Sequence, residues 1–181
     1  IGDNQQLVRV DIDMKNNFSK NEHEMLEVIL KIIMHFDAVI ISDYAKGVCS
    51  KLILKETISA AKTYSVPVFI DPKGIDWDGY KEAQLVTPNQ KEAELILKRE
   101  LVTDEDFEIA GKDICKKYSI DRCLITRGSD GMSMVDKDES LHIKSKAKEI
   151  FDVSGAGDTV IAVSYTHLRA HETKANLVCR L

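Results

Sequence analysis

No two cysteines of this chain form a Cys-x-x-Cys pair; the four present, Cys49, Cys115, Cys123 and Cys179, are scattered. That spacing argues against a disulfide frame and for reduced thiols in a cytoplasmic protein. Cys115 and Cys123 lie in apolar surroundings and read as core residues, and no catalytic role falls to any of the four. No apolar run approaches the ~20 residues that span a bilayer. Ile1-Gly2-Asp3-Asn4 lacks a basic region followed by an apolar stretch, so no signal peptide is visible. An initiator Met is missing too, and the start reads as processed, truncated or fragmentary. Positive charge is in deficit: 25 Lys and Arg against 30 Asp and Glu give a net charge of −5. This argues against nucleic acid or an anionic membrane as the main partner. Internal repeats and low-complexity linkers are absent.

What is present is the composition of one globular domain with a real core: 181 residues, 44% hydrophobic and 30% charged. Gln6 to Asp11 alternates apolar and polar residues and reads as a strand. Asn21 is placed to cap a helix from Glu22 to about Met34, with Met25, Leu26, Ile29 and Ile33 on one face. Ala38 to Ile41 is a short apolar run of the kind buried in a parallel sheet. Ser50 opens a helix to about Tyr64, and Val66 to Ile70 is a buried strand with Pro67 near its start. Gln84 to Thr87 is a strand, Gln90 to Leu97 a helix, and Thr103 or Asp104 starts another helix reaching Tyr118. Arg122 to Thr126 is a strand, followed by an antiparallel pair at Met132 to Val135 and Leu141 to Ile143. A last helix opens at Gly155. Such alternation predicts an α/β fold, a mostly parallel sheet with helices on both faces.

In such sheets ligands collect at the carboxyl ends of the strands. Four predicted strands end in polar clusters: Ser42-Asp43-Tyr44, Asp71-Pro72-Lys73, Thr87-Pro88-Asn89 and Thr126-Arg127-Gly128. All four should line one edge. Any one cluster is accounted for by the polarity of loops; four in register favour a site. The alternating Lys144, Lys146 and Lys148 read as a solvated face.

The densest functional segment is Asp152-Val153-Ser154-Gly155-Ala156-Gly157-Asp158-Thr159. Gly155, Ala156 and Gly157 let successive backbone N–H groups face one small space that can hold negative charge. The Asp158 carboxylate beside it can take a proton from a hydroxyl. Anion hole plus base is the minimum apparatus for moving a phosphoryl group onto an alcohol. A Gly-x-Gly-Asp turn alone is usually an ordinary tight turn; the clusters before it give it weight.

Asp152 to Thr159 resembles the signature of the ribokinase-like (phosphofructokinase B type) carbohydrate kinases, and Asn89-Gln90-Lys91-Glu92 is similar to that family's Asn-x-x-Glu motif. Asp3 to Arg9, Ser42 to Gly47 and Ile70 to Gly74 resemble one subgroup, the D-glycero-β-D-manno-heptose-7-phosphate kinases. These occur alone or as the kinase half of a bifunctional ADP-heptose synthesis protein. The resemblance implies a ribokinase-like three-layer sandwich, truncated here at both ends, and transfer of the ATP γ-phosphate to the anomeric hydroxyl of the heptose 7-phosphate.

It also implies roles. Asp158 would be the base, and Gly155, Ala156 and Gly157 the donors facing the transferring phosphoryl. Asn89, Gln90, Lys91 and Glu92 would organise nucleotide phosphates, with Asn89 and Glu92 on Mg²⁺ through water. Thr126, Arg127 and Gly128 would lie near the nucleotide, and Asp152 near a monovalent cation. Lys46 and Lys73 are candidates for phosphate contacts, Arg9 for the sugar. Asp43 would bind sugar hydroxyls or merely end its strand. The partners implied are a sugar phosphate and ATP, with a homodimer in the full-length parent.

The likeness runs from about Gly2 to Ala162 and stops beyond Val163. The division expected is therefore a partial kinase domain over 1–163 and a non-native tail over 164–181, with the isolated chain inactive. His167 and His171 could share a helix face, but with no third ligand nearby no metal site is expected. Two other readings compete: another ribokinase-like sugar kinase, or an inactive nucleotide- or sugar-binding fragment. A dehydrogenase-type dinucleotide domain is disfavoured, because its glycine turn would come first rather than last.

Overall fold

The computed structural model describes residues 21–145. The strand expected at Gln6 to Asp11, Arg9, Lys146 and Lys148, Asp152, the Gly155–Asp158 turn with its helix, both distal histidines and Cys179 lie outside them.

Six strands form one sheet in sequence order: β1 (Val39–Ser42), β2 (Val68–Asp71), β3 (Leu85–Val86), β4 (Arg122–Thr126), β5 (Met132–Asp136) and β6 (Ser140–Ile143). The first four run parallel; β5 pairs antiparallel with β4, and β6 antiparallel with β5, the second being the pair the sequence predicts. Helix α1 (Glu22–Ile32) precedes β1, α2 (Lys51–Thr63) joins β1 to β2, and α3 (Gln90–Leu97) and α4 (Asp104–Tyr118) join β3 to β4, whereas β2 and β3 are connected through a 3-10 turn at Asp78–Tyr80.

Period-two alternation splits the strands between two faces. Val68, Ile70, Val86, Cys123 and Ile125 join the main core with Leu54 and Ile58 of α2, Ala93 and Ile96 of α3, and Phe107, Ala110 and Ile114 of α4. The residues between them, Phe69, Leu85 and Leu124, form a second buried cluster on the other face, with Ala38, Met132 and Met134 against it. The described residues thus supply the sheet and one helical layer of the expected three-layer arrangement.

Three helix starts follow from their caps. Ser50 Oγ accepts the N–H of Ile53 and donates to the Glu22 carboxylate, tying α2 to α1. Asn89 and Glu92 form a reciprocal capping box on α3, and Thr103 and Asp106 form another on α4. Asn21 departs from expectation. Its backbone sits at φ −108°, ψ 4° instead of the extended region a capping side chain needs, and it makes no cap bond. The helix also stops at Ile32, and Ile33–His35 tighten into a 3-10 turn. Strand β2 starts at Val68, after Pro67, whose carbonyl accepts from Val39 N. With no N–H of its own, the proline joins the ladder only through that carbonyl.

Packing demands a glycine within α4. On α4, a Cβ at Gly111 would lie 2.5 Å from Val135 Cβ, so helix and sheet touch there backbone to side chain.

Candidate functional site

Parallel pairing of β1 to β4 brings their carboxyl ends to one edge, as anticipated, in sequence order. Backbone bonds carry the register past the strand ends: Asp43 N donates to Asp71 O (3.1 Å), Thr87 N to Ile70 O (2.9 Å) and Thr126 N to Pro88 O (2.9 Å). Asn89 bridges Thr126 in parallel sense. The four polar clusters therefore lie side by side, with Lys46 exposed on the loop after β1.

At the β3 end, Asn89 Oδ1 accepts from Glu92 N (2.9 Å), and Glu92 Oε2 accepts from Asn89 N (2.9 Å). The Asn-x-x-Glu motif is thus first a capping box. It fixes both side chains at the start of α3, where N–H groups and helix dipole favour negative charge. The remaining carboxylate oxygen, Glu92 Oε1, accepts from Lys73 Nζ at 2.7 Å. Lys73 sits at the β2 end, so this ion pair spans two strand ends. The Glu92 hydrogen bond holds the Lys73 ammonium above its usual range, against the opposing effect of partial burial.

The β1 end is built around Asp43. Its Oδ1 accepts from Ala45 N at 2.7 Å, and its Oδ2 from the Tyr80 hydroxyl at 2.6 Å. That hydroxyl also accepts from Lys73 N at 3.2 Å. Burial, then the bond to Asp43, pushes the Tyr80 phenol well above its ordinary range, so it stays protonated. Tyr80 carried no sequence signal. It follows the aperiodic Gly74–Gly79 segment, and only its burial beside Trp77 distinguishes it from a loop aromatic.

Two expected residues are committed elsewhere. Gln90 Nε2 donates to Glu94 Oε1 and Leu101 O, both at 2.9 Å, so its amide secures the α3–α4 connection. Arg127 Nη1 donates to Asp104 Oδ1 (2.5 Å) and Ser133 Oγ (3.3 Å), and the guanidinium carbon lies 4.1 Å from the Phe107 ring centroid. This guanidinium packs onto the start of α4, and its bond to Asp104 pulls that carboxyl below the usual range. Lys91 is exposed on the first turn of α3, and Gly128 turns the chain after β4 at φ 58°.

Among the described residues, no group of three or more His, Cys, Asp or Glu could hold a metal ion directly. Both oxygens of Glu92 already accept a donor and keep lone pairs besides, which suits contact with a hydrated Mg²⁺ through water. Nor, among those residues, is any helix long and apolar enough to cross a membrane.

The pfkB family carbohydrate kinase profile matches residues 3–178. The bifunctional protein HldE of Proteus mirabilis is 41% identical over 169 residues, covering 92% of this chain and 35% of that protein. HldE of Geotalea uraniireducens is 37% identical over 165 residues, covering 90% and 34%. The chain spans about a third of the length of these relatives. In fold it is similar to phosphofructokinase-2 from Escherichia coli in complex with substrates and products: TM-score 0.67, 22% identity, over 82% of this chain and 50% of that one. It is also similar to Arabidopsis thaliana ribokinase complexed with ribose and ATP, at TM-score 0.61 and 23% identity over 72% and 42%.

Proposed function

This chain belongs to the pfkB family of carbohydrate kinases, and we propose that it carries phosphoryl-transfer machinery for D-glycero-β-D-manno-heptose 7-phosphate. The ATP γ-phosphate passes to the anomeric hydroxyl and the 1,7-bisphosphate results. The reading rests on one observation above all: two motifs that resemble the heptose kinases, Ser42–Gly47 and Ile70–Gly74, end the adjacent parallel strands β1 and β2 and share one edge with the Asn89–Glu92 motif. The similarity to the HldE proteins supports the same acceptor class.

In this reading the acceptor lies toward the β1 and β2 ends, with Asp43 on sugar hydroxyls and Lys46 and Lys73 near phosphate. Arg9 belongs to the sugar side. The nucleotide lies toward β3 and β4, against Asn89, Glu92, Thr126 and Gly128, with Lys91 at its rim. Gln90 and Arg127 hold the shape of that side from behind. Asn89 and Glu92 would hold Mg²⁺ through water, and the ion would neutralise charge on the phosphates; a monovalent cation near Asp152 belongs to the same proposal. Asp158 accepts the proton of the attacking hydroxyl, and the N–H groups of Gly155, Ala156 and Gly157 face the transferring phosphoryl. A sugar hydroxyl is a poor nucleophile, and a carboxylate within ~3 Å can take its proton as the P–O bond forms.

An acceptor panel tests the reading. With ATP and Mg²⁺, the full natural polypeptide should turn over heptose 7-phosphate in preference to ribose, fructose and fructose 6-phosphate. Asp158→Asn should lower kcat by about 10²–10⁴ while nucleotide affinity holds. Preference for another sugar would move the acceptor, and undiminished turnover by Asp158→Asn would remove the base.

A further inference from the structure

We infer that Tyr80 is a positioning residue for the acceptor: its hydroxyl fixes the carboxylate of Asp43 and the main chain of Lys73 at the ends of β1 and β2. The inference rests on the proposed function, which sets Asp43 against the sugar.

The connection from β2 to β3 folds inward. Trp77 and Tyr80 are each 1% exposed. The Trp77 indole N–H donates to Gly74 O at 3.1 Å, and its ring lies 6.2 Å from that of Tyr80 and 5.8 Å from that of Tyr118. Beside them Gly79 meets α2 so closely that a Cβ would fall 2.9 Å from Leu54 Cδ1. The Tyr80 ring is therefore held on several sides, and the hydroxyl it carries has one location.

A phenol has one proton to give. Asp43 Oδ2 at 2.6 Å competes for it with Lys73 O at 3.3 Å. The shorter distance and the negative charge assign the proton to the carboxylate. The phenol oxygen then accepts from Lys73 N, so a single atom joins two strand ends 30 residues apart in sequence. Asp43 Oδ1 is fixed separately by Ala45 N. With one donor on each oxygen the carboxylate plane is set, and each oxygen keeps a lone pair for a sugar hydroxyl. The raised phenol pKa fits a hydroxyl that donates at every working pH.

The phenol proton goes to Asp43, and Lys73 is met through its main chain, not through the ammonium that pairs with Glu92, so the kinetic consequence falls on the acceptor side. In the full natural polypeptide, Tyr80→Phe keeps the ring and removes only the oxygen. It should raise KM for heptose 7-phosphate about tenfold, the scale of a lost hydrogen bond to a charged group. KM for ATP and kcat should stay within about twofold. Asp43→Asn should raise the same KM, and the double variant should rise no further than Asp43→Asn alone, because Tyr80 acts through that carboxylate. An unchanged acceptor KM in Tyr80→Phe overturns the inference. So does a parallel rise in both KM values, or effects that multiply in the double variant, since either means a structural role alone. Should Tyr80→Phe not fold, Asp43→Asn decides: an unchanged acceptor KM overturns the inference, and a selective rise upholds it. If the unaltered protein shows no acceptor-dependent turnover, the proposed function falls, and the inference with it.

Discussion

Glu92 has two possible jobs, and a pair of substitutions separates them. Its Oε2 closes the capping box on Asn89 N, and its Oε1 pairs with Lys73 Nζ. Removing both in Glu92→Ala forfeits one side chain–backbone hydrogen bond, worth about 0.5–1.5 kcal/mol. It also breaks an ion pair whose lysine is half exposed, worth about 0.2–1 kcal/mol after solvent screening. The sum, about 0.7–2.5 kcal/mol, lowers Tm by roughly 1–10 °C in a domain of this size. Glu92→Gln is different, because the amide oxygen can still accept from Asn89 N. The box survives, and the loss in Tm falls to about 2–4 °C or less. Charge at the β3 end is gone in both variants. If Glu92 acts on hydrated Mg²⁺ and phosphate, Glu92→Gln loses at least tenfold in kcat/KM for MgATP despite its near-normal melting temperature, a loss of about 1.4 kcal/mol in transition-state stabilisation. Asp106→Ala supplies the control. It breaks the corresponding box on α4 and costs similar stability with kinetics intact. Thermal melts read beside steady-state kinetics give both axes. Glu92→Gln with unaltered kinetics would refute the argument and leave the motif as a helix cap alone.

Three further outcomes follow from particular contacts. Gly111→Ala gains about 1 kcal/mol of helix propensity but drives a Cβ into Val135. Overpacking of about 1–3 kcal/mol should win, so chemical denaturation midpoints fall, and a rise would contradict the close approach of α4 to β5. Burial, then the Asp43 charge, holds the Cys49 thiol at about 11, and burial holds Cys115 at about 11. Alkylation of both should be slow at pH 7.5 and climb steeply toward pH 10, with Asp43→Asn speeding Cys49 alone; rapid labelling at neutral pH would be inconsistent with these sites. Asp136 is held below the usual carboxylate range by the N–H groups of Glu139 and then Asp138. Its folded pKa is depressed, so its contribution is complete above the ordinary carboxylate pKa of about 4 and is lost as pH falls through the lower folded value. Urea midpoints should drop over that window, less steeply in Asp136→Asn; equal slopes would remove the turn from the acid transition.

Elements bounded by local chemistry were legible before any packing was known. The Asn89–Glu92 spacing places α3 at Gln90–Leu97, and the apolar run after Asp121 places β4 at Arg122–Thr126. The β1 to β4 clusters meet at one edge because each connection crosses back to the starting edge, so the four strands run parallel and end on the same side. Asn21 misleads because residue type does not fix the backbone angles a cap requires. Ile29 and Ile33 meet the core, but no residue of α1 between Glu22 and Ile32 is buried. Periodicity orients a helix without saying how deeply it packs. The glycine turn and Asp158, the proposed base, lie outside residues 21–145, so that part of the proposal is carried by the sequence.

The sequence by itself pointed to the family that the pfkB profile matches, and within residues 21–145 it determined the order of strands and helices and which strand ends hold polar chemistry, because the latter depend on short-range patterns. Pairings across long separations belonged to tertiary structure: Lys73 with Glu92, Arg127 with Asp104, and Tyr80 with Asp43, 37 residues away. No local rule chooses such partners. They form because the sheet stacks its strand ends a few ångströms apart and a buried aromatic segment delivers one hydroxyl among them.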